Sequence, residues 1–306
     1  MKFKTLFILL ICTILIGIAH SLITTHLERP KFPEKVTLYL EDDRKICTLT
    51  LKEYILGRLF AECPDPLAPE AMDAAACAIS STVYFRLENG VKPVFGADLS
   101  DAIDSYLTPE EARTEYDNYE EMLPLYKAAA EYGCSHIMLF DNKPVYAPLC
   151  RLSAGATDDG GEPWLKAANT ERDKSSKEFT ATSAFSTEQV RIALRLLCPD
   201  AKLSYDYSSW FTNAEYLPSG TLNSINYGGC DISGKELADT LGLRSNALTI
   251  EYAEDRFVFT VRGIGNNIGM SLYTADKLAL LGNSSDEILN YFYSNIKITE
   301  TNLAGS

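Results

Sequence analysis

Few side chains in this sequence are set up for chemistry. Histidine occurs three times, at His20, His26 and His136, too sparse for a histidine-based triad or a multi-histidine metal centre. Eight cysteines are present, Cys12, Cys47, Cys63, Cys77, Cys134, Cys150, Cys198 and Cys230, and none forms a CxxC pair. Cys134, His136 and Cys150 fall around one predicted hairpin and could in principle gather thiolate and imidazole ligands. Their spacing is not a standard zinc pattern, and neighbours along a strand point to opposite faces. No metal or other cofactor is expected. Carboxyl groups are plentiful; among them Glu62 falls at the end of a predicted helix beside Phe60, Cys63 and Pro64. A partly apolar pocket there would favour the protonated acid, the form a general acid needs. On pattern alone the plainer reading, a surface residue of an amphipathic helix, is the better one. Two loops rich in small residues, Ser153-Ala-Gly-Ala-Thr157 and Gly263 to Gly269, offer hydroxyls, amides and close backbone approach. By themselves they read as an ordinary tight loop and a turn before a helix.

These residues need elements to position them. Val36 to Glu41 and Ile46 to Leu49 alternate around Asp42-Asp43-Arg44, a hairpin pattern. Thr50 and Glu53 form a capping box, and Leu51, Tyr54, Ile55 and Leu59 then recur at helical spacing up to Pro64. Pro69 opens an alanine-rich helix that ends near Gly90. A third helix begins at Thr108-Pro109 and is expected to kink or break near Pro124. Hairpins are predicted from Ile137 to Phe140 and Val145 to Leu149 over Asp141-Asn142-Lys143, and from Leu248 to Tyr252 and Phe257 to Val261 over Glu254-Asp255. Ser186 with Gln189 caps a helix to about Cys198; Ser233 caps one ending at Gly242; another runs from about Ser271 to Leu281. The chain reads as α+β, mixed helices and β-hairpins, without the strand–helix alternation of a parallel sheet.

Bulk properties narrow the function further. The 306 residues carry 28 Lys and Arg against 42 Asp and Glu, a formal charge of −14, which excludes a non-specific grip on nucleic acid. Lys2 and Lys4 precede an apolar run from Leu6 to Ala19 that continues weakly to Ile23. The pattern is that of a signal-anchor over residues 1–25, with the basic end cytoplasmic. Cleavage near Ala19-His20-Ser21 is the less favoured alternative. The expectation is a single-pass membrane protein with a linker over 26–34 and an extracytoplasmic domain over 35–300. Seven cysteines follow the apolar segment; spacing assigns no partners, and an odd number leaves at least one unpaired.

Three segments, in order, resemble the SpoIID/LytB (stage II sporulation protein D) family. The first runs from Leu51 through Glu62-Cys-Pro64 and on into the alanine helix Pro69–Ala78. The second is Ser153-Ala-Gly-Ala-Thr157, similar to the family's Ser-Gly-Gly-x-Thr loop, with Pro163-Trp164-Leu165 beyond it. The third comprises Ile232 to Arg244-Ser245, Gly263-Ile-Gly265 through Gly269-Met-Ser271, and Ile288 to Tyr293. The resemblance implies a peptidoglycan lytic transglycosylase acting on glycan strands, preferably stripped of stem peptides, with Glu62 as acid and then base. It also implies a groove lined by Ser153, Gly155, Thr157, Gly265, Asn266, Asn267 and Ser271, with Arg244 holding the loop or contacting substrate. The implied partners are wall glycan, the membrane and other membrane-bound wall hydrolases; sporulation and engulfment are the setting of some members. Several positions depart from the family's pattern. Ala75 stands where Gln is usual, Ser80 where Arg is, Cys150 where His is, Asn266-Asn267 for His-Gly, and Leu272 for Gln. Those departures keep a second expectation open, a degenerate module that grips glycan or a partner without cleaving it.

Overall fold

The computed structural model describes residues 34–89 and 95–301. Strands β1 (Lys35–Leu40) and β2 (Lys45–Thr50) pair antiparallel, Lys35 opposite Thr50 and Leu40 opposite Lys45. β2 runs straight into helix α1 (Leu51–Glu62) because Thr50 ends the strand and caps the helix. Its hydroxyl accepts from the Glu53 N–H at 3.2 Å, and the Glu53 carboxylate accepts from the Thr50 N–H at 2.8 Å. Helix α2 (Pro69–Asn89) is buried on nearly every side from Ala71 to Tyr84. Its alanines let neighbours approach closely. A Cβ on Gly133 of the crossing helix would lie 2.8 Å from the Ala76 carbonyl oxygen, so that contact requires glycine.

Strand β3 (Leu99–Ser100) lies parallel to β1, and helices α3 (Pro109–Glu115) and α4 (Tyr119–Ser135) follow. The break expected near Pro124 falls earlier, at residues 116–118, and Pro124 sits inside α4. Near the start of a helix a proline removes little of the hydrogen-bond ladder, and buried Tyr119, Met122 and Tyr126 hold α4 to the core. Strands β4 (His136–Phe140) and β5 (Lys143–Pro144) turn through left-handed Asp141 and Asn142, as the hairpin reading required. The second arm is Lys143–Pro144 and not the expected Val145 to Leu149. That stretch runs on without strand pairing until β6 (Leu149–Cys150).

A smaller unit follows, with its own core around Val190, Leu194, Trp210, Leu237, Phe257 and Phe259. It contains β7 (Thr180–Ser186), α5 (Thr187–Leu194), β8 (Phe211–Tyr216), β9 (Leu222–Tyr227), β10 (Cys230–Ser233), α6 (Gly234–Leu241), β11 (Leu248–Ala253) and β12 (Arg256–Arg262). Its two antiparallel sheets have orders β10-β9-β8 and β11-β12-β7. A Cys198–Cys230 disulfide ties the segment after α5 to β10, while Cys47, Cys63, Cys77, Cys134 and Cys150 are free thiols. Helix α5 stops at Leu194, one turn short of the expected Cys198. The chain returns through β13 (Met270–Ser271), which pairs parallel to β6, then α7 (Leu272–Leu280), α8 (Ser285–Phe292) and β14 (Lys297–Glu300) against β4. The larger core, from Val36 to Ala168 and from Met270 to Tyr293, is thus closed by residues on both sides of the smaller unit. The architecture is α+β, as read from the sequence. The signal-anchor and all but the last residue of the linker lie outside the described residues, among which no helix is long and apolar enough to cross a membrane.

Candidate active site

Glu62 is the last residue of α1. The Cys63 N–H closes the helix on the Leu59 carbonyl at 2.8 Å, so the Glu62 carboxylate sits at the negative end of the helix dipole. Arg58, one turn back on the same face, offsets that charge: its Nη2 donates to Glu62 Oε1 at 2.6 Å. Arg58 Nη1 reaches Asp104 Oδ1 at 3.0 Å and the Tyr54 hydroxyl at 3.4 Å. Asp104 is in turn held by Arg86 of α2. Two carboxylates and two guanidiniums therefore alternate through a nearly buried chain, Glu62 to Arg58 to Asp104 to Arg86. The wall beside Glu62 is partly apolar as expected, through Pro64, Pro66, Leu67 and Leu272, but the expectation did not include these paired charges. The i,i+4 spacing to Arg58 was visible in the sequence, but Asp104 and Arg86 are brought in by tertiary packing. Oε1 is committed to Arg58, and Oε2 is the oxygen that remains for a ligand.

Glu62 is on the wall of two cavities. One, of about 230 Å³, is also lined by Pro64, Asp65, Arg151, Glu178, Tyr273 and Asp276. The other, of about 160 Å³, holds Arg58, Arg86, Asp104, Tyr146 and Asn266. A third, of about 550 Å³, shares Pro64 and Arg151 with the first and carries Glu41, Asp42, Asp101, Glu115 and Tyr116. The acid therefore stands between depressions that adjoin through shared walls. Beside it, burial pushes the Cys63 thiol far above the usual thiol range, with the Glu62 charge adding to the effect. Cys63 stays protonated and is no nucleophile.

The residues expected to line the groove divide into two groups. Asn266 is exposed and shares the smaller cavity with Glu62; Gly265 adjoins Asn266 in a further depression with Arg244. Ser153, Thr157, Asn267 and Ser271 are buried, which corrects the expectation that they contact substrate. Their polar atoms are taken by the protein. Asn267 Oδ1 accepts from the Ala154 N–H at 2.8 Å, and its Nδ2 donates to Ala156 O, Asp158 Oδ2 and Thr221 Oγ1 at 3.1, 3.0 and 2.9 Å. Thr157 Oγ1 accepts from the Ala168 N–H at 2.9 Å. Gly155 has φ +103° and lies over Lys174, fitting its reading as a tight-loop glycine. Arg244 donates to the Glu178 carbonyl, and its own carbonyl accepts from the Gly265 N–H at 2.8 Å, so it ties the loops together. Trp164 and Trp210 fill the two cores and donate to Tyr146 O and Ser204 O, each at 2.9 Å.

Two residues of this region had no sequence signal. Asp173, wholly buried, accepts from the Ser153 N–H at 2.6 Å, from the Ser271 hydroxyl at 2.9 and 2.7 Å, and from the Thr274 hydroxyl at 2.6 Å. It thereby fixes the small-residue loop to the start of α7. Arg151 follows Cys150 and reaches the walls of two cavities. Among the described residues no three His, Cys, Asp or Glu side chains gather as a metal site. Cys150 lies buried under Gly265, and burial with the Asp173 charge drives its thiol well up. Burial pushes Cys134 up to about 11, and His136 stacks on Tyr132.

No protein-family model matches the chain. It is 25% identical to Stage II sporulation protein D of Bacillus subtilis (strain 168), over 88% of this chain and 80% of that protein. The same identity relates it to Stage II sporulation protein D of Bacillus amyloliquefaciens, over 88% of this chain and 79% of the relative. The expected kinship is thus met by proteins that match nearly the whole chain.

Proposed function

Starting from a SpoIID-like chain, we propose that it is a peptidoglycan lytic transglycosylase with Glu62 as its acid and base, held at the membrane by its N-terminus and acting outside the cytoplasm. The names of its relatives support a setting in sporulation. The observation that carries the assignment is the position of Glu62 at a helix end between adjoining cavities, with one oxygen on Arg58 and the other left for a ligand. The acid protonates the glycosidic oxygen as the C1–O bond breaks, and the leaving strand departs as an alcohol. The muramic C6 hydroxyl then attacks C1 and returns its proton to Glu62. A 1,6-anhydro ring forms, and no water is consumed. One carboxyl serves both steps because the nucleophile belongs to the substrate, unlike the two-carboxylate hydrolases. Arg58 keeps the Glu62 side chain in one orientation throughout. Exposed Asn266 supplies hydrogen bonds to the sugar.

A second reading, a module that binds wall glycan or a partner without cleaving it, is favoured by the guanidinium already engaging the acid. Glu62→Gln in the full-length chain separates the two. Loss of cleavage with binding retained supports the enzyme. Identical behaviour of wild type and variant on every strand tested would leave the binding module.

A further inference from the structure

Arg151 has an unusual place in the groove. Four carboxyl side chains line the first cavity beside it, and four line the largest one. Among the described residues lining these two cavities it is the single cation, and it belongs to both. Its backbone is fixed. The Arg151 carbonyl accepts from the Tyr273 N–H at 3.2 Å, and the next residue, Leu152, bridges to Ile264. Its side chain is tethered only loosely, by one nitrogen to Glu178 at 2.9 Å, with 36% and 54% of the two side chains exposed. Such a surface pair is weak and readily exchanged for an arriving anion. Arg58, by contrast, is buried and Arg86 largely so, and both are already ion-paired, Arg58 with Glu62 and Asp104 and Arg86 with Asp104.

We propose that Arg151 is a specificity-determining residue that binds the free lactyl carboxylate of a muramic acid residue seated beside Glu62. This rests on the wall-glycan reading above. In a strand carrying stem peptides that carboxyl group is an amide and has no charge to offer. In a stripped strand it is an anion, and a guanidinium can take both of its oxygens. The acidic remainder of the walls works in the same direction, because stem peptides bring further carboxylates that the groove repels. The same groove therefore rewards one carboxylate at one place and disfavours others elsewhere. This ties a preference for stripped strands to one residue and its surroundings.

The test uses full-length chain carrying Glu62→Gln, so that strands survive, and measures binding to two probes. One is stripped glycan with free lactyl carboxyls; the other is the same glycan with those carboxyls methyl-esterified. The free acid is expected to bind about ten-fold tighter, the scale of one half-exposed charge-assisted pair, with the gap narrowing at high salt. Adding Arg151→Ala should lower free-acid binding to the ester's level and leave the ester unchanged. Arg151→Lys should keep part of the gap, and Glu178→Gln should keep or widen it, which guards against a folding defect. Equal binding of the two probes by the parent, or equal weakening of both by Arg151→Ala, overturns the proposal. A wild-type chain that discriminates between the probes but cleaves neither would sink the transglycosylase and leave Arg151 as the carboxylate reader. Cleavage of both at one rate would do the reverse.

Discussion

Breaking the Arg58–Glu62 pair is the most informative structural perturbation. Arg58 is 8% exposed and serves Glu62, Asp104 and the Tyr54 hydroxyl at once, while Glu62 is 21% exposed and has Arg58 as its charged partner. Arg58→Met keeps much of the side-chain volume but leaves Asp104 with Arg86 alone and Glu62 with no cation at a helix C-terminus. Removing one partner of a buried pair costs roughly 3–5 kcal/mol. Because Arg86 still neutralises Asp104 and Glu62 reaches solvent, about 2–3 kcal/mol is expected here. Glu62→Gln should cost less, about 1 kcal/mol, since Arg58 keeps Asp104. In a double-mutant cycle by equilibrium urea unfolding, the coupling between the two should be about 1–2 kcal/mol. A coupling below about 0.3 kcal/mol would refute the claim that Arg58 holds the acid. Cleavage should also fall in Arg58→Met, with the loss mainly in kcat, because the acid is still present but no longer oriented.

Two further predictions concern stability. Asp173→Ala removes the carboxylate that joins Ser153, Ser271 and Thr274, and a loss of about 3–5 kcal/mol in urea unfolding is expected; a loss under about 1 kcal/mol would show that the loop does not depend on it. Burial, reinforced by the Glu70 charge, raises Asp73 to about 6. The folded protein therefore holds that proton more tightly than the unfolded chain, whose Asp titrates near about 3.9. Its contribution favours folding below about pH 4 and fades as pH rises through 6. Asp73→Asn should be more stable than wild type at pH 7–8, by about 1 kcal/mol at this partly exposed site, with the gap closing towards pH 4. A gap that is constant across that range would contradict the assignment.

Features set by near neighbours were legible in the sequence. The capping boxes at Thr50–Glu53, Ser186–Gln189 and Ser233–Glu236 each join residues three apart, and all three start helices as read. The turns at Asp141-Asn142 and Glu254-Asp255 carry positive φ values, which Asp and Asn tolerate and which Glu254 adopts beside Asp255. Strand β8 hid because its faces are mostly exposed, and a bulge around left-handed Asn213 breaks its alternation. Glu62 stood out only through the family resemblance. Its setting could not be read, because Asp104 and Arg86 arrive from other elements. Asp173 serves hydroxyls about a hundred positions away, Ser271 at a separation of 98 and Thr274 at 101. No local pattern announces such a hub. The same is true of Ser153 and Asn267: the motif that drew attention to them cannot distinguish a residue that touches sugar from one that shapes the floor beneath it.

The central claim is a chemical outcome, and the ends of the product strands report it. Stripped glycan incubated with the full-length chain and analysed by mass spectrometry should yield fragments ending in 1,6-anhydro-muramic acid, absent with Glu62→Gln. Fragments with ordinary reducing ends would mean that water, not the substrate's own hydroxyl, was the nucleophile. Intact strands that nevertheless bind would contradict catalysis by Glu62 and leave the chain as a glycan-gripping module.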